Sequence, residues 1–322
     1  MGEREQVTRC LVVGGAGFIG SHLVEQLLAH ADTGVTVFDN LSVGKREFLS
    51  GALANARACT LVQGDALDLP ALETAMAGHD TVFHLAANPE ARWGLENPRL
   101  DLEQGTICTW NVLEAMRRTG AKRLVFSSSG TMYGDTVESC AEGDLGKLPI
   151  SLYGASKFAC EGLISAFVEC FGLSAWIYRF GNVVGPRGTH GAALDFLNKL
   201  KHNPEELEVL GDGRQSKPYV YVEDCVAGVL FGLSHASERL NIHNISPPDF
   251  TSVRRIAELC VAASPYPNAR IRYTGGERGW PGDVPHSRLN ADKLGALGFR
   301  ISRSSDQAVE AAVHALARQV FG

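Results

Sequence analysis

At 322 residues, 45% of them hydrophobic and 20% charged, the chain has the make-up of a folded globular protein with room for two lobes, not of a disordered or fibrous polymer. A formal net charge of −6 argues against a broad nucleic-acid surface, which needs clustered Lys and Arg to displace counterions. No run approaches the roughly 18 uninterrupted apolar residues of a membrane span, and Met1 to Arg9 lacks the basic segment and apolar run of a signal peptide; a cytoplasmic enzyme, with no membrane and no nucleic-acid partner, is expected.

In chain order, Cys10–Gly14, Val35–Asp39, Cys59–Gly64, Thr81–Ala86, Arg123–Ser128 and Ala175–Phe180 are short, apolar and rich in β-branched residues, as buried parallel strands are. Between them Phe18–His30, Ala71–Ala77, Asn97–Thr119 and Tyr153–Phe171 carry apolar residues three and four apart, which predicts crossover helices. This alternation predicts an α/β fold, a Rossmann-type doubly wound parallel sheet, over residues 1–181. From Asn182 the rhythm gives way to loops such as Gly185-Pro186-Arg187-Gly188 and Leu210-Gly211-Asp212-Gly213, so a smaller C-terminal α/β substrate lobe is expected over 182–322, with 220–236 free to return to the first sheet. The eight cysteines are scattered without metal-ligand spacing and read as reduced core thiols, so no metal is expected.

Directly after the first strand, Gly14, Gly17 and Gly20 form G-x-x-G-x-x-G and open a helix near Phe18. The turn needs positive φ, the backbone must approach a pyrophosphate without a Cβ in the way, and the last glycine lets helix pack on strand. Asp39 closes the second strand 19 residues past Gly20, where a carboxylate accepts from both hydroxyls of an adenosine ribose and repels a 2′-phosphate. NAD is therefore favoured over NADP; a turn-capping role with Asn40 is the plainer alternative. Asp65, ending the third strand, suits either the adenine amino group or a turn.

Tyr153 and Lys157 lie four apart at the start of a helix and project from one face. That spacing serves a base, because an ammonium stabilises phenolate; bringing a tyrosine down by roughly three pKa units takes about 4 kcal/mol. Ser127-Ser128-Ser129 ends the fifth strand at the carboxyl edge, where open α/β sheets bind ligands, so a hydroxyl there can meet the substrate oxygen. The three serines also suit a loop cap.

Taken together, GGAGFIGSHL from Gly14, FDNLS from Phe38, Gly64-Asp65, HLAA from His84, FSSSGTMYG from Phe126, YGASK from Tyr153, RFGNVVGPR from Arg179 and LGDGRQSKPYVYVED from Leu210 resemble the extended short-chain dehydrogenase/reductase superfamily. Within it the chain is most similar to the NAD-dependent epimerase/dehydratase family, typified by UDP-glucose 4-epimerase. The resemblance covers nearly the whole chain. It implies a catalytic hydroxyl at Ser129, a base at Tyr153 and a lysine at Lys157, with Tyr153 and Lys157 also contacting cofactor. It also implies cofactor contacts from the loop at Phe18 and Ile19, and from Asn40, Asp65, Ala66, Leu85, Ala86 and Ala87.

For the substrate, the resemblance implies Ser128 and Ser129 at the strand end, and Asn182 on a nucleotide diphosphate. Lys217, Tyr219, Arg278 and Asp283 follow from the second lobe. Two departures stand out: Lys217-Pro218-Tyr219 replaces a common Arg-Asp-Phe, and Trp280 replaces an arginine three residues before Asp283. Related dehydratases carry Asp-Glu just after the catalytic hydroxyl, and decarboxylases a Glu; Gly130 and Thr131 stand there. The reading implied is epimerisation of a UDP-sugar, with a dehydratase, a net-redox reductase or a silent NAD-binding regulator as alternatives. In many relatives the helices 97–119 and 153–171 form a dimer interface, which implies a homodimer; a helix pair buried in one subunit is the alternative.

Overall fold

A computed structural model describes residues 9–30, 33–55, 57–136, 138–144 and 147–322. Six strands follow the predicted order: β1 (Arg9–Val13), β2 (Gly34–Asp39), β3 (Cys59–Gln63), β4 (Thr81–His84), β5 (Arg123–Ser129) and β6 (Ser174–Phe180). With the strand Leu240–Ile245 they form a seven-stranded sheet, ordered Leu240–Ile245, β6, β5, β4, β1, β2, β3. β1 pairs in parallel with β2 and β4, so Val13 lies between Phe38 and His84. Parallel pairing aligns the carboxyl ends of β1, β2 and β4, which brings the segments after Val13, Asp39 and His84 to one edge.

The core explains the unbroken apolar runs. Leu11, Val82, Leu124, Phe126 and Ile177 of the strands are buried with Val112, Leu113 and Met116 of the helix Cys108–Thr119 and with Cys160, Ile164 and Val168 of the helix Leu152–Phe171. Side chains covered on both faces of a parallel sheet favour apolar residues, and the polar ones buried there, such as His84 and Ser128, are hydrogen-bonded.

Two elements differ from the sequence expectation. The single helix expected over 97–119 is three stretches: Arg99–Asp101, a wide π-type turn at Leu102–Ile107 and the helix Cys108–Thr119. Gly105 sits in the wide turn, where a Cβ would come within 2.6 Å of Ser156 Oγ, so the backbone packs directly on the neighbouring helix. The seventh strand, Leu240–Ile245, was not among those expected; Ala175 N donates to Arg239 O at 2.8 Å and Asn241 Nδ2 to Ala175 O at 3.3 Å, which ties it to β6.

The chain forms two compact units, one drawn from Met1–Ser128, Ser156–Tyr178 and Val229–His243, the other from Ser129–Ala155, Arg179–Gly228 and Asn244–Gly322. The second thus takes in residues well ahead of 182. In it Glu206–Val209 pairs in parallel with Arg270–Tyr273, and Asn182–Val184 with Tyr219–Tyr221. Its core joins Phe196, Leu197, Ile256, Cys260, Val313 and Leu316. The closing helix, Ser305–Phe321, starts from a capping box between Ser304 and Gln307, which satisfies amides of its first turn.

Candidate active site

The glycine loop is shaped by close approach. Gly14 has φ +81°, and a Cβ there would lie 2.6 Å from Ala86 N; at Gly20 it would lie 2.2 Å from Gly14 O. Gly17 caps the helix Phe18–Leu28 without any side-chain bond to its first amides, and the first turn holds no acidic residue. Such an end suits an anion. Leu85 N and Ala86 N both donate to Val13 O, at 2.9 and 3.0 Å, pinning the end of β4 beside the loop.

Asp39, at the end of β2, is buried against this loop. One carboxylate oxygen accepts from Ala16 N at 2.9 Å and the other from Leu41 N at 2.8 Å. The turn role is thus observed, and each oxygen keeps a further lone pair for another donor. Burial holds the carboxyl above its ordinary pKa, against the two amides that favour the charged form. Asn40 Nδ2 donates to Asp65 Oδ2 at 3.2 Å, and Leu67 N to Asp65 Oδ1 at 2.9 Å. Asp65 is thus a turn carboxylate that also holds Asn40. Ala66 O accepts from Asn111 Nδ2 at 2.8 Å. These residues form a cradle that side chains would fill and that ends in a carboxylate, an arrangement that suits a dinucleotide; Ala87 follows Ala86 and is partly exposed.

Lys157 is 2% exposed, and its Nζ donates to Ser127 O at 2.7 Å and lies 4.7 Å from the centroid of Phe126. Burial pulls its pKa down, opposed by Cys160, Cys108, Glu161 and Asp101. Tyr153 lies one turn earlier on the same helix and is half-buried. His84 is fully buried, with Nε2 2.9 Å from Thr109 Oγ1, and its pKa is pushed down to about 3 by burial and then by Lys157. It stays neutral. Asp101 was not singled out from the sequence; it is buried, and Oδ1 accepts from Asn88 Nδ2 at 3.0 Å.

The three serines divide. Ser127 donates to His84 O at 3.3 Å. Ser128, expected at the substrate, is 2% exposed, and its hydroxyl donates to Glu161 Oε1 at 2.5 Å, so packing within the first unit accounts for it. Ser129 is half-exposed and caps the short turn Gly130–Tyr133.

In the second unit the structure gathers four of the five substrate residues expected there. Asn182 N donates to Pro218 O at 3.0 Å, next to Lys217. Lys217 Nζ meets Asp283 Oδ1 at 2.6 Å, while Arg278 donates to Asp283 O at 2.9 Å and to Asp135 Oδ2 at 2.7 Å. Tyr219 differs: it is 7% exposed and packs into the core of the second unit, where burial raises its phenol pKa.

The sheet, the glycine loop and Asp39 define a dinucleotide-binding α/β protein. Residues 10–246 match the model of the NAD dependent epimerase/dehydratase family, and the chain belongs to that family. NAD is the family's cofactor. A putative UDP-glucose 4-epimerase of Methanocaldococcus jannaschii is 33% identical over 238 residues, 72% of this chain and 75% of that protein. A UDP-N-acetyl-alpha-D-glucosaminuronate decarboxylase of Bacillus cytotoxicus is 29% identical over 303 residues, 89% of this chain and 90% of that one. Among solved structures, a UDP-galactose 4-epimerase is 36% identical, with a TM-score of 0.86 over 97% of this chain and 100% of that chain.

Proposed function

We propose that this chain is a nucleotide-sugar epimerase that inverts C4 of a UDP-hexose, with UDP-glucose and UDP-galactose as the pair interconverted. The observation that carries this reading is the composition of the turn after Ser129, where Gly130 and Thr131 supply no carboxylate. Eliminating water needs a further acid and base beside the reacting carbons, and neither position has one.

In this reading the amides at Phe18 and Ile19 and the carboxylate of Asp39 hold the dinucleotide, and Lys157 orients it beside Tyr153. When bound, NAD supplies a reversible acceptor for the hydride of the carbon bearing the reacting hydroxyl. Tyr153 takes that hydroxyl's proton, helped by the ammonium one turn away, and Ser129 hydrogen-bonds the same oxygen. Once the keto-sugar has turned over about its phosphate linkage, the stored hydride would return to the opposite face of the same carbon while Tyr153 gives the proton back to its oxygen, so the centre is inverted with no net oxidation. Asn182, Lys217 and Arg278 hold the diphosphate, with Asp283 orienting Lys217. We further propose a homodimer; Ile107, Trp110 and Phe158 are large apolar side chains exposed on the two helices concerned.

Incubation with UDP-glucose, UDP-galactose, their N-acetyl forms and UDP-glucuronate, followed by anomeric NMR signals, tests the proposal. Interconversion of the first pair is expected. Release of carbon dioxide from UDP-glucuronate, or loss of water from any sugar, would replace it with the decarboxylase or dehydratase reading. Light scattering reads the dimer.

A further inference from the structure

Ser129 is held from two sides by a single residue. Its Oγ accepts from Thr131 N at 3.2 Å and from Thr131 Oγ1 at 3.0 Å. A hydroxyl has two lone pairs and one proton. With both lone pairs taken, the one hydrogen bond left to Ser129 is the one it donates.

The turn that presents Thr131 is itself fixed. Tyr133, two residues on, is buried; its OH accepts from Arg179 Nη1 at 2.6 Å and donates to Asn244 Oδ1 at 3.0 Å. Gly130 has no room for a side chain, because a Cβ would stand 2.9 Å from Leu289. The backbone on both sides of Thr131 is thus determined by packing, and its hydroxyl is delivered to Ser129.

We propose that Thr131 is a positioning residue that makes Ser129 a dedicated hydrogen-bond donor to the reacting oxygen of the substrate. This rests on the assignment of Ser129 to that oxygen. A serine free to turn over would also accept the substrate's own hydroxyl proton, stabilising the ground state and opposing its removal by Tyr153. A serine that only donates favours the oxygen as its proton leaves. Thr131 therefore acts on the transition state more than on binding.

Thr131→Val keeps the shape and the backbone N–H bond and deletes the hydroxyl; Thr131→Ser restores it. Steady-state kcat and KM are measured for both, for Ser129→Ala and for the double variant Ser129→Ala/Thr131→Val, with thermal melts as control. Thr131→Val should lower kcat about 10- to 100-fold with KM within about two-fold and the melt unchanged, and Thr131→Ser should recover most of the loss. In the Ser129→Ala background the second substitution should have no further effect. The role of Thr131 is overturned if Thr131→Val keeps wild-type kcat while Ser129→Ala is inactive, if Thr131→Ser fails to rescue, or if the two losses add. Wild-type kcat in Ser129→Ala instead removes the assignment of Ser129 itself.

Discussion

Lys157 Nζ donates to the backbone carbonyl of Ser127 at 2.7 Å. The bond ties the start of a long helix to the end of β5 and fixes an ammonium beneath the ring of Phe126. A buried charge held this way has little use for stability alone, because removing it from water is costly. Lys157→Met should lower kcat about 10²- to 10⁴-fold while leaving the protein folded. Lys157→Arg should not rescue, since a planar fork does not replace a compact ammonium. Steady-state rates and circular-dichroism melts check both.

The same burial predicts a pH profile. Around Lys157 stand His84 from β4, Asp101, Cys108 from the helix Cys108–Thr119, and Cys160 and Glu161 from its own helix. Its pKa is lowered from 10.5, so an activity that needs the ammonium is present below the folded value and lost as pH rises through it. The alkaline limb of kcat should therefore fall below 10.5. Asp101→Asn removes a carboxylate that favours the ammonium and should move that limb down by about half a unit to one unit. An unmoved limb would separate Asp101 from Lys157.

His84 gives the opposite test, on stability. Its folded pKa of about 3 lies below the ordinary 6.5, so between these values the unfolded chain binds a proton that the folded one does not. Stability then falls as pH drops through that window, by up to about 1.4 kcal/mol per pH unit, and its share is fully retained above it. Urea unfolding at a series of pH values should show a shallower acid loss for His84→Gln than for wild type.

Asp39 should matter twice. Asp39→Ala removes the acceptor for Ala16 N and Leu41 N and, on the proposed reading, for the adenosine ribose. NAD affinity should fall about 10- to 100-fold, with the preference over NADP narrowing. Calorimetric titration of the cofactor-stripped protein measures both, and an unchanged NADP ratio would leave Asp39 with the turn alone.

What the sequence disclosed follows from how local each constraint is. Six strands were legible because a buried parallel strand is mostly apolar, and the glycine loop because Gly14 and Gly20 have contacts that no Cβ survives. Leu240–Ile245 escaped notice, although its alternation of apolar Leu240 and Ile242 with polar Asn241 and His243 was there to be read. The break at Gly105 and the burial of Ser128 depend on partners far along the chain, Ser156 and Glu161, and no spacing rule reaches them. Tyr219 is similar: beside Lys217 in sequence, it is drawn into a core assembled from distant helices. By contrast the bond from Thr131 to Ser129 spans only two residues and belongs to a known class of hydroxyl turn.

Two ion pairs, Lys217 with Asp283 and Arg278 with Asp135, are joined by the bond from Arg278 to the Asp283 backbone carbonyl, so the second unit already carries counterions for both cations. If these residues hold a nucleotide diphosphate as proposed, the ligand would not meet bare cations; it would compete for them. A ligand with one negative charge would merely trade one partner for another and leave the buried Asp283 facing a loss. A diphosphate would bring charge for both cations, and Gly279 N already bonds the Asp283 carboxylate. On the proposed reading, recognition would work as an exchange of anions, in which the resident carboxylates set the threshold a visitor must exceed.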